Sequence, residues 1–263
     1  MFYYAAMCSE LFDLNGLTAL ITGGGRGIGL AIAKGLAEQG ADVAIVARTK
    51  EQLDKACEEI RTETGRKAMS FAYDLANVGG VEGLFEEVAK AAGGVDILVN
   101  CAGTTVRGAS EDVELKDWQR VQDVNLKSAF VLSQAFCRHR KQFGAGGRII
   151  NIGSLACQGA RPTIAAYAAS KGGLLMLTKT LAVEWAKYGI TVNAIGPGYI
   201  ATELTAPLRA DDDFDKWVLS KTPLGRWGQP GDLVGAAVLL ASKAGEFITG
   251  QILYVDGGWL ALL

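Results

Sequence analysis

Seven short runs rich in valine and isoleucine, separated by longer amphipathic stretches, predict an α/β fold. The runs are apolar on both faces, as strands of a covered parallel sheet are. Their alternation with the amphipathic stretches persists from Leu17 to Val255, and glycines stand where the first run meets the first amphipathic stretch. The expected architecture is one Rossmann-type domain over residues 1–263, with a doubly wound sheet of seven parallel strands and helices on both faces.

The runs are Leu17–Ile21, Asp42–Ala47, Ala68–Tyr73, Val95–Val99, Arg148–Ile152, Thr191–Ile195 and Ile252–Val255. Each reads as a buried strand. Helical patterns fill residues 28–39, ending at Gly40, and 50–63, ending before Gly65. Others fill 81–91, before Gly93-Gly94, and the longer stretches 119–142 and 165–187. The stretch Tyr199–Trp227 breaks this rhythm. A connection of that length beyond the end of a strand predicts a lid over a substrate site.

Composition narrows the function classes. The chain has 263 residues and a net charge of −2, which gives no reason to expect nucleic acid or an anionic membrane as partner. No segment approaches the ~18 apolar residues of a membrane span. The first basic residue is Arg26, so the start lacks the positive region of a secretory signal. Residues 1–10 read as a flexible extension, with Met7 as a second candidate start. Cys8, Cys57, Cys101, Cys137 and Cys157 are odd in number and widely spaced, without a C-x-x-C pair. That pattern predicts a reducing, cytoplasmic setting, with neither a disulfide framework nor a metal site. The one histidine, His139, stands between Arg138 and Arg140 and is expected on a solvent-facing helix surface. Asp211, Asp212 and Asp213 read as a solvated loop or a helix start.

The glycine loop carries the first chemical signal. Thr22-Gly23-Gly24-Gly25-Arg26-Gly27-Ile28-Gly29 leads from the first strand into the first helix. Glycines permit a tight turn, and the helix N-terminus offers backbone N–H groups to a pyrophosphate. The spacing Gly23-x-x-x-Gly27-x-Gly29 differs from the usual G-x-G-x-x-G. The second strand ends at Ala47-Arg48, where a site for NAD(H) commonly has a carboxylate for the ribose 2′-hydroxyl. Arg26 and Arg48 can instead clamp a 2′-phosphate. The pattern predicts a preference for NADP(H), with NAD(H) as the second candidate; solvated surface arginines are the alternative.

Together with this loop, Asp74-Leu75, Asn100-Cys101-Ala102-Gly103, Asn125, Ser154, Tyr167-x-x-x-Lys171 and Pro197-Gly198 stand in an order and spacing that resemble the short-chain dehydrogenase/reductase family along nearly the whole chain. Cys101 departs from the commoner Asn-Ala-Ala-Gly or Asn-Asn-Ala-Gly. The resemblance implies that Asp74 and Leu75 meet the adenine, with a helix cap as the alternative role for Asp74. It implies that Asn100, Ala102 and Gly103 let the cofactor pass, and that Pro197, Gly198, Ile200 and Thr202 flank the nicotinamide. Lys171 reaches the ribose, and Asn125 holds a water that continues the proton path. Family members usually form tetramers. Here the helices near 119–142 and 165–187 and the C-terminal Trp259–Leu263 would supply apolar interface surface.

The residue chemistry agrees. Moving a hydride from a carbinol carbon also releases the hydroxyl proton, which the protein must take. Phenols ionise near about 10 in water, and a neighbouring ammonium favours the phenolate. Tyr167 and Lys171 stand at i and i+4, one turn apart on one helix face. Ser154 closes the fifth strand, where it can stabilise charge on the substrate oxygen. The expected activity interconverts a secondary alcohol and a ketone. The segments Leu155–Arg161, Thr104–Arg107 and Tyr199–Trp227 should line the substrate pocket, with Arg107 and Arg161 available to an anionic group. Thr222-Pro-Leu-Gly-Arg-Trp-Gly-Gln-Pro and Tyr254-Val-Asp-Gly-Gly-Trp resemble the gluconate 5-dehydrogenase branch of the family, which implies a sugar acid. A 3-oxoacyl thioester or another ketone is the alternative substrate; a non-catalytic NADP(H)-binding regulator is the alternative class.

Overall fold

The computed structural model describes residues 10–262, so the expected flexible extension at 1–10 lies outside the described residues, apart from Glu10. Seven parallel strands form one sheet in the order β3-β2-β1-β4-β5-β6-β7. They are β1 (Thr18–Thr22), β2 (Asp42–Ala47), β3 (Ala68–Ala72), β4 (Ile97–Asn100), β5 (Gly147–Ile152), β6 (Ile190–Pro197) and β7 (Ile252–Val255). The order reverses between β1 and β4, and the crevice at that reversal is where such sheets take ligands.

Strand alternation builds two cores. Ala19 and Ile21 of β1 face one layer, with Ile32 and Leu36 of α1 (Gly27–Glu38) and Leu53 and Ile60 of α2 (Lys50–Thr64). Leu20 between them faces the other layer. That layer holds Leu84 and Phe85 of α3 (Val81–Ala92), Phe136 of α5 (Ser128–Gln142) and Leu181 of α6 (Ala165–Trp185). The central strands match the expectation of full burial. The edge strands β3 and β7 do not: most of their residues are half-buried or exposed. An edge strand has a neighbour on one side only, and periodicity does not reveal position in the sheet.

The helix expected over 119–142 begins earlier and is interrupted. It comprises α4 (Leu115–Gln122), a π-helical turn at Asp123–Lys127, and α5. Such π turns often mark functional sites. The stretch Tyr199–Trp227 also has structure of its own, holding α7 (Ala206–Arg209) and α8 (Asp212–Lys221). Asp211 caps α8, its Oδ1 accepting from the Asp213 and Phe214 N–H groups at 3.1 Å each, so the acidic triplet is a helix start. The last helix is α9 (Val234–Ala241).

His139 corrects a sequence expectation. It is half-buried on α5 rather than solvated, with its ring edge-on to Phe85 (5.7 Å between centroids) and Phe143 (4.9 Å). Its Nε2 accepts from the Val95 N–H at 3.3 Å.

Candidate active site

The glycine loop closes on the end of β4. Gly23 has φ +69°, and a Cβ there would stand 3.1 Å from the Ala102 backbone nitrogen. Gly29 lies against the Gly23 carbonyl, so close that no side chain fits. The Thr22 hydroxyl accepts from the Cys101 and Ala102 N–H groups at 3.0 and 3.1 Å. The first βα turn and the end of β4 thus form one rigid cradle, and Gly23 and Gly29 are fixed by close backbone approach.

An elongated cavity of about 370 Å³ runs along this cradle. Of the expected cofactor-binding residues, Gly23, Arg26, Gly27, Ile28, Gly29, Arg48, Asp74, Leu75, Ala102, Gly103, Tyr167, Lys171, Pro197, Gly198, Ile200 and Thr202 line it. Ala47 lies in the wall where a carboxylate would discriminate against a 2′-phosphate. Arg26 and Arg48 are exposed at the rim. Arg26 approaches Glu203 at 3.9 Å, while Arg48 has no ion-pair partner among the described residues. Asp74 Oδ1 accepts from the Ala76 N–H at 3.0 Å, and Oδ2 stands 3.6 Å from the Arg120 guanidinium. Sequence reading missed Gln52, Arg120, Glu203 and Thr205 in this wall. Their types carry no motif, and only folding brings them to the cradle.

Asn100 and Asn125 do not line the cavity. The Asn100 amide donates to Asn151 Oδ1 (2.8 Å) and Ser133 Oγ (3.3 Å), and Asn151 in turn donates to Thr178 Oγ1 on α6 at 2.9 Å. This buried chain ties β4 and β5 to the helix that bears Tyr167. Asn125, expected to hold a water, lies in the π turn; its side chain accepts from the Thr104 N–H (2.8 Å) and donates to Thr104 O (2.9 Å) and Ser170 Oγ (3.0 Å).

Tyr167 and Lys171 lie on one face of α6, the ammonium nitrogen 5.7 Å from the phenol ring centre. Lys171 is buried, and its Nζ donates to the Ile152 carbonyl at 2.6 Å. Ser154 follows two residues after β5 and caps a short turn, its Oγ accepting from the Ala156 N–H at 3.1 Å. Burial pushes the Cys101 thiol up to about 12, so the family departure at this position places a neutral, inert group in the wall.

A second cavity of about 290 Å³ adjoins the first, and Ser154, Tyr167, Pro197, Gly198, Leu204 and Thr205 line both. Its other walls include Thr105, Arg107, Leu155, Arg161, Tyr199, Leu208 and Trp217, from the three segments expected to form the substrate pocket. Arg107 and Arg161 form no ion pair with any described residue. Burial and the Arg161 charge hold the Arg107 guanidinium below its ordinary value. Burial raises the Tyr199 phenol, opposed by the same two arginines. The C-terminal Trp259 and Leu260 also face this cavity. Trp259 packs on Tyr199 at 4.8 Å and Trp217 at 5.1 Å. Among the described residues no group of three or more His, Cys, Asp or Glu is placed to hold a metal ion, and no helix is long and apolar enough to cross a membrane.

This chain belongs to the short-chain dehydrogenase/reductase family; a family model described as enoyl-(acyl carrier protein) reductase matches residues 23–260. Within the family it is similar to the gluconate 5-dehydrogenase of Gluconobacter oxydans, with 43% identity over 249 residues, covering 95% of this chain and 96% of that one. It is also similar to the 2-dehydro-3-deoxy-D-gluconate 5-dehydrogenase of Dickeya dadantii, with 43% identity over 257 residues and 97% and 100% of the two chains. A solved gluconate 5-dehydrogenase from Burkholderia cenocepacia, in complex with NADP and tartrate, superposes with a TM-score of 0.93 at 44% identity, covering 97% of this chain and all of that one.

Proposed function

We propose that the chain is an NADP(H)-dependent oxidoreductase that interconverts a secondary alcohol of a sugar acid such as gluconate with the corresponding ketone. One observation carries the reading: Ser154 and Tyr167 stand at the junction of two cavities, one built on a glycine cradle and the other lined by two unpaired arginines. Sugar-acid dehydrogenases similar over nearly the full chain support it.

The first cavity fits a dinucleotide. Gly23 and Gly29 leave no room for a side chain, the N-terminus of α1 opens onto it, and Arg26 and Arg48 stand at the rim beside an uncharged Ala47. A relative bound to NADP agrees with this polarity. The hydride chemistry belongs to the nicotinamide when it is bound. Tyr167 Oη takes the hydroxyl proton in oxidation and returns it in reduction. Ser154 Oγ bonds the substrate oxygen and stabilises the charge that develops there. Lys171 holds a positive charge one turn from the phenol, and Asn125 fixes the Thr104 segment against α6. In the second cavity, Arg107 and Arg161 take the carboxylate of the acid.

The segment Tyr199–Trp227 acts as a substrate lid on a single domain. Exposed Phe130 on α5 and Met176 and Val183 on α6 support a homotetramer, and the free Cys57, Cys101, Cys137 and Cys157 support a cytoplasmic setting. The reading is tested by a panel of alkyl alcohols, polyols and sugar acids, scored by nicotinamide absorbance with NADP+ and with NAD+. The highest specificity constant should belong to a sugar acid with NADP+. Activity confined to alkyl alcohols, or a higher constant with NAD+, contradicts it.

A further inference from the structure

Five aromatic rings meet beside the second cavity, and they divide into two groups. Trp227 is buried and its indole N–H donates to Asp215 Oδ1 at 2.6 Å; Phe214 packs between Tyr199 and Trp217. These two anchor the lid. Tyr199, Trp217 and Trp259 instead form cavity wall. Trp217 keeps 38% of its surface accessible although it lies in an aromatic cluster. It comes from α8, and Trp259 comes from the C-terminal segment beyond β7. Their rings meet edge to face, 5.1 Å apart at 73°. Two chain segments far apart in sequence thus present large, rigid ring surface to one space.

The cavity is chemically two-sided. Arg107 and Arg161 supply unpaired positive charge, and Arg161 is itself stacked 5.2 Å over Phe214 of the lid cluster. The aromatic wall supplies ring faces, whose quadrupole is negative. A carbon that bears a hydroxyl has a C–H bond polarised positive at hydrogen, so it meets a ring face more favourably than an alkane C–H does. An acid with several hydroxylated carbons fits both sides at once, its carboxylate on the arginines and its C–H edge on the rings.

We propose that Trp217 and Trp259 are specificity-determining residues that select a polyhydroxylated acid over an unhydroxylated acid of equal length. The proposal rests on the sugar-acid reading above and adds the part of the site that recognises the hydroxylated chain. Neither tryptophan touches the glycine cradle, so their contribution falls on substrate and not on cofactor.

The test compares oxidation of D-gluconate and of 5-hydroxyhexanoate, which keeps the carboxylate and a secondary alcohol but lacks the other hydroxyls. It uses the full chain with NADP+. Trp217→Leu and Trp259→Leu should each lower the ratio of the two specificity constants by about tenfold, mainly through a higher KM for gluconate. Trp217→Phe and Trp259→Phe should retain most of the selectivity, and NADPH binding followed by its fluorescence should match the wild type in all four. Leucine variants that bind NADPH normally and keep the ratio within about twofold overturn the aromatic proposal alone. A wild type that oxidises 5-hydroxyhexanoate but no member of a panel of sugar acids, gluconate included, or none of these acids at all, overturns the sugar-acid reading and this proposal with it, before any variant is made.

Discussion

The buried Lys171 ammonium donates to the Ile152 carbonyl at 2.6 Å, joining the N-terminal third of α6 to the end of the strand that leads into Ser154. The bond sets the spacing between the two elements that carry the proposed proton-transfer groups. An ammonium has three N–H donors, and this contact uses one. Lys171→Met removes the charge and orphans the carbonyl. It should lower kcat/KM by about 10²–10⁴-fold. It should also lower stability by about 1–3 kcal/mol, read as a reduced Tm. Lys171→Arg should not restore activity, because a planar guanidinium does not fit a buried point-charge site. Activity of Lys171→Met near that of the wild type would contradict the role.

Cofactor choice is written at the end of β2. Ala47 leaves the cavity wall uncharged, and Arg48 stands beside it without a counter-ion among the described residues. Arg48→Glu replaces an attraction for a 2′-phosphate with a repulsion. A charged hydrogen bond contributes about 1.5–3 kcal/mol, so the ratio of NADP+ to NAD+ specificity constants should fall by at least about tenfold. An unchanged ratio would exclude Arg48 from the phosphate site.

Thr163 is the one non-glycine residue with positive φ (+70°) among the described residues, and its carbonyl accepts from the Gly108 N–H at 3.2 Å. This contact ties the loop of Arg107 to the loop of Arg161. A β-branched residue in that conformation holds about 1–3 kcal/mol of strain, retained where the surroundings over-determine the backbone. Thr163→Gly should therefore raise Tm despite the entropy glycine adds to the unfolded chain. A Tm several degrees lower would mean that the threonine side chain stabilises the loop instead.

His139 gives the fold a pH dependence. Burial and the Arg140 charge hold its imidazole below the ordinary value of 6.5, with Asp96 opposing them. A base depressed in the folded state contributes stability above its unfolded pKa and loses it as pH falls through the folded value. Protonation would also displace the Val95 N–H from Nε2. Between about pH 7 and 5.5, the wild-type Tm should fall more steeply than that of His139→Gln, which accepts the same bond without titrating. Parallel curves would remove His139 from the account.

Sequence made the cradle and the Tyr167–Lys171 pairing on one helix face legible because each is a local pattern. Gly23 to Gly29 occupy one turn, and Tyr167 and Lys171 occupy one helix face. Other features depend on which way a side chain turns at a strand end. Asn100 stands in the expected motif but points inward to Asn151, away from the cavity. The distribution of aromatics was equally hidden. Trp259 reads in sequence as apolar surface, and only the path of the chain beyond β7 brings it against Tyr199 and Trp217. Arg120 of α4 lines the cavity beside Asp74, which stands just past β3, a tertiary placement that no spacing encodes.

The proposed proton transfer runs through Tyr167 at the junction of the two cavities. Its most direct test is steady-state oxidation of D-gluconate with NADP+ by the wild type and by Tyr167→Phe, alongside NADPH binding. The phenylalanine keeps the ring and removes only Oη. The account predicts a loss of about 10²–10⁴-fold in kcat, with NADPH affinity within about threefold of the wild type. Turnover by Tyr167→Phe near the wild-type rate would contradict it.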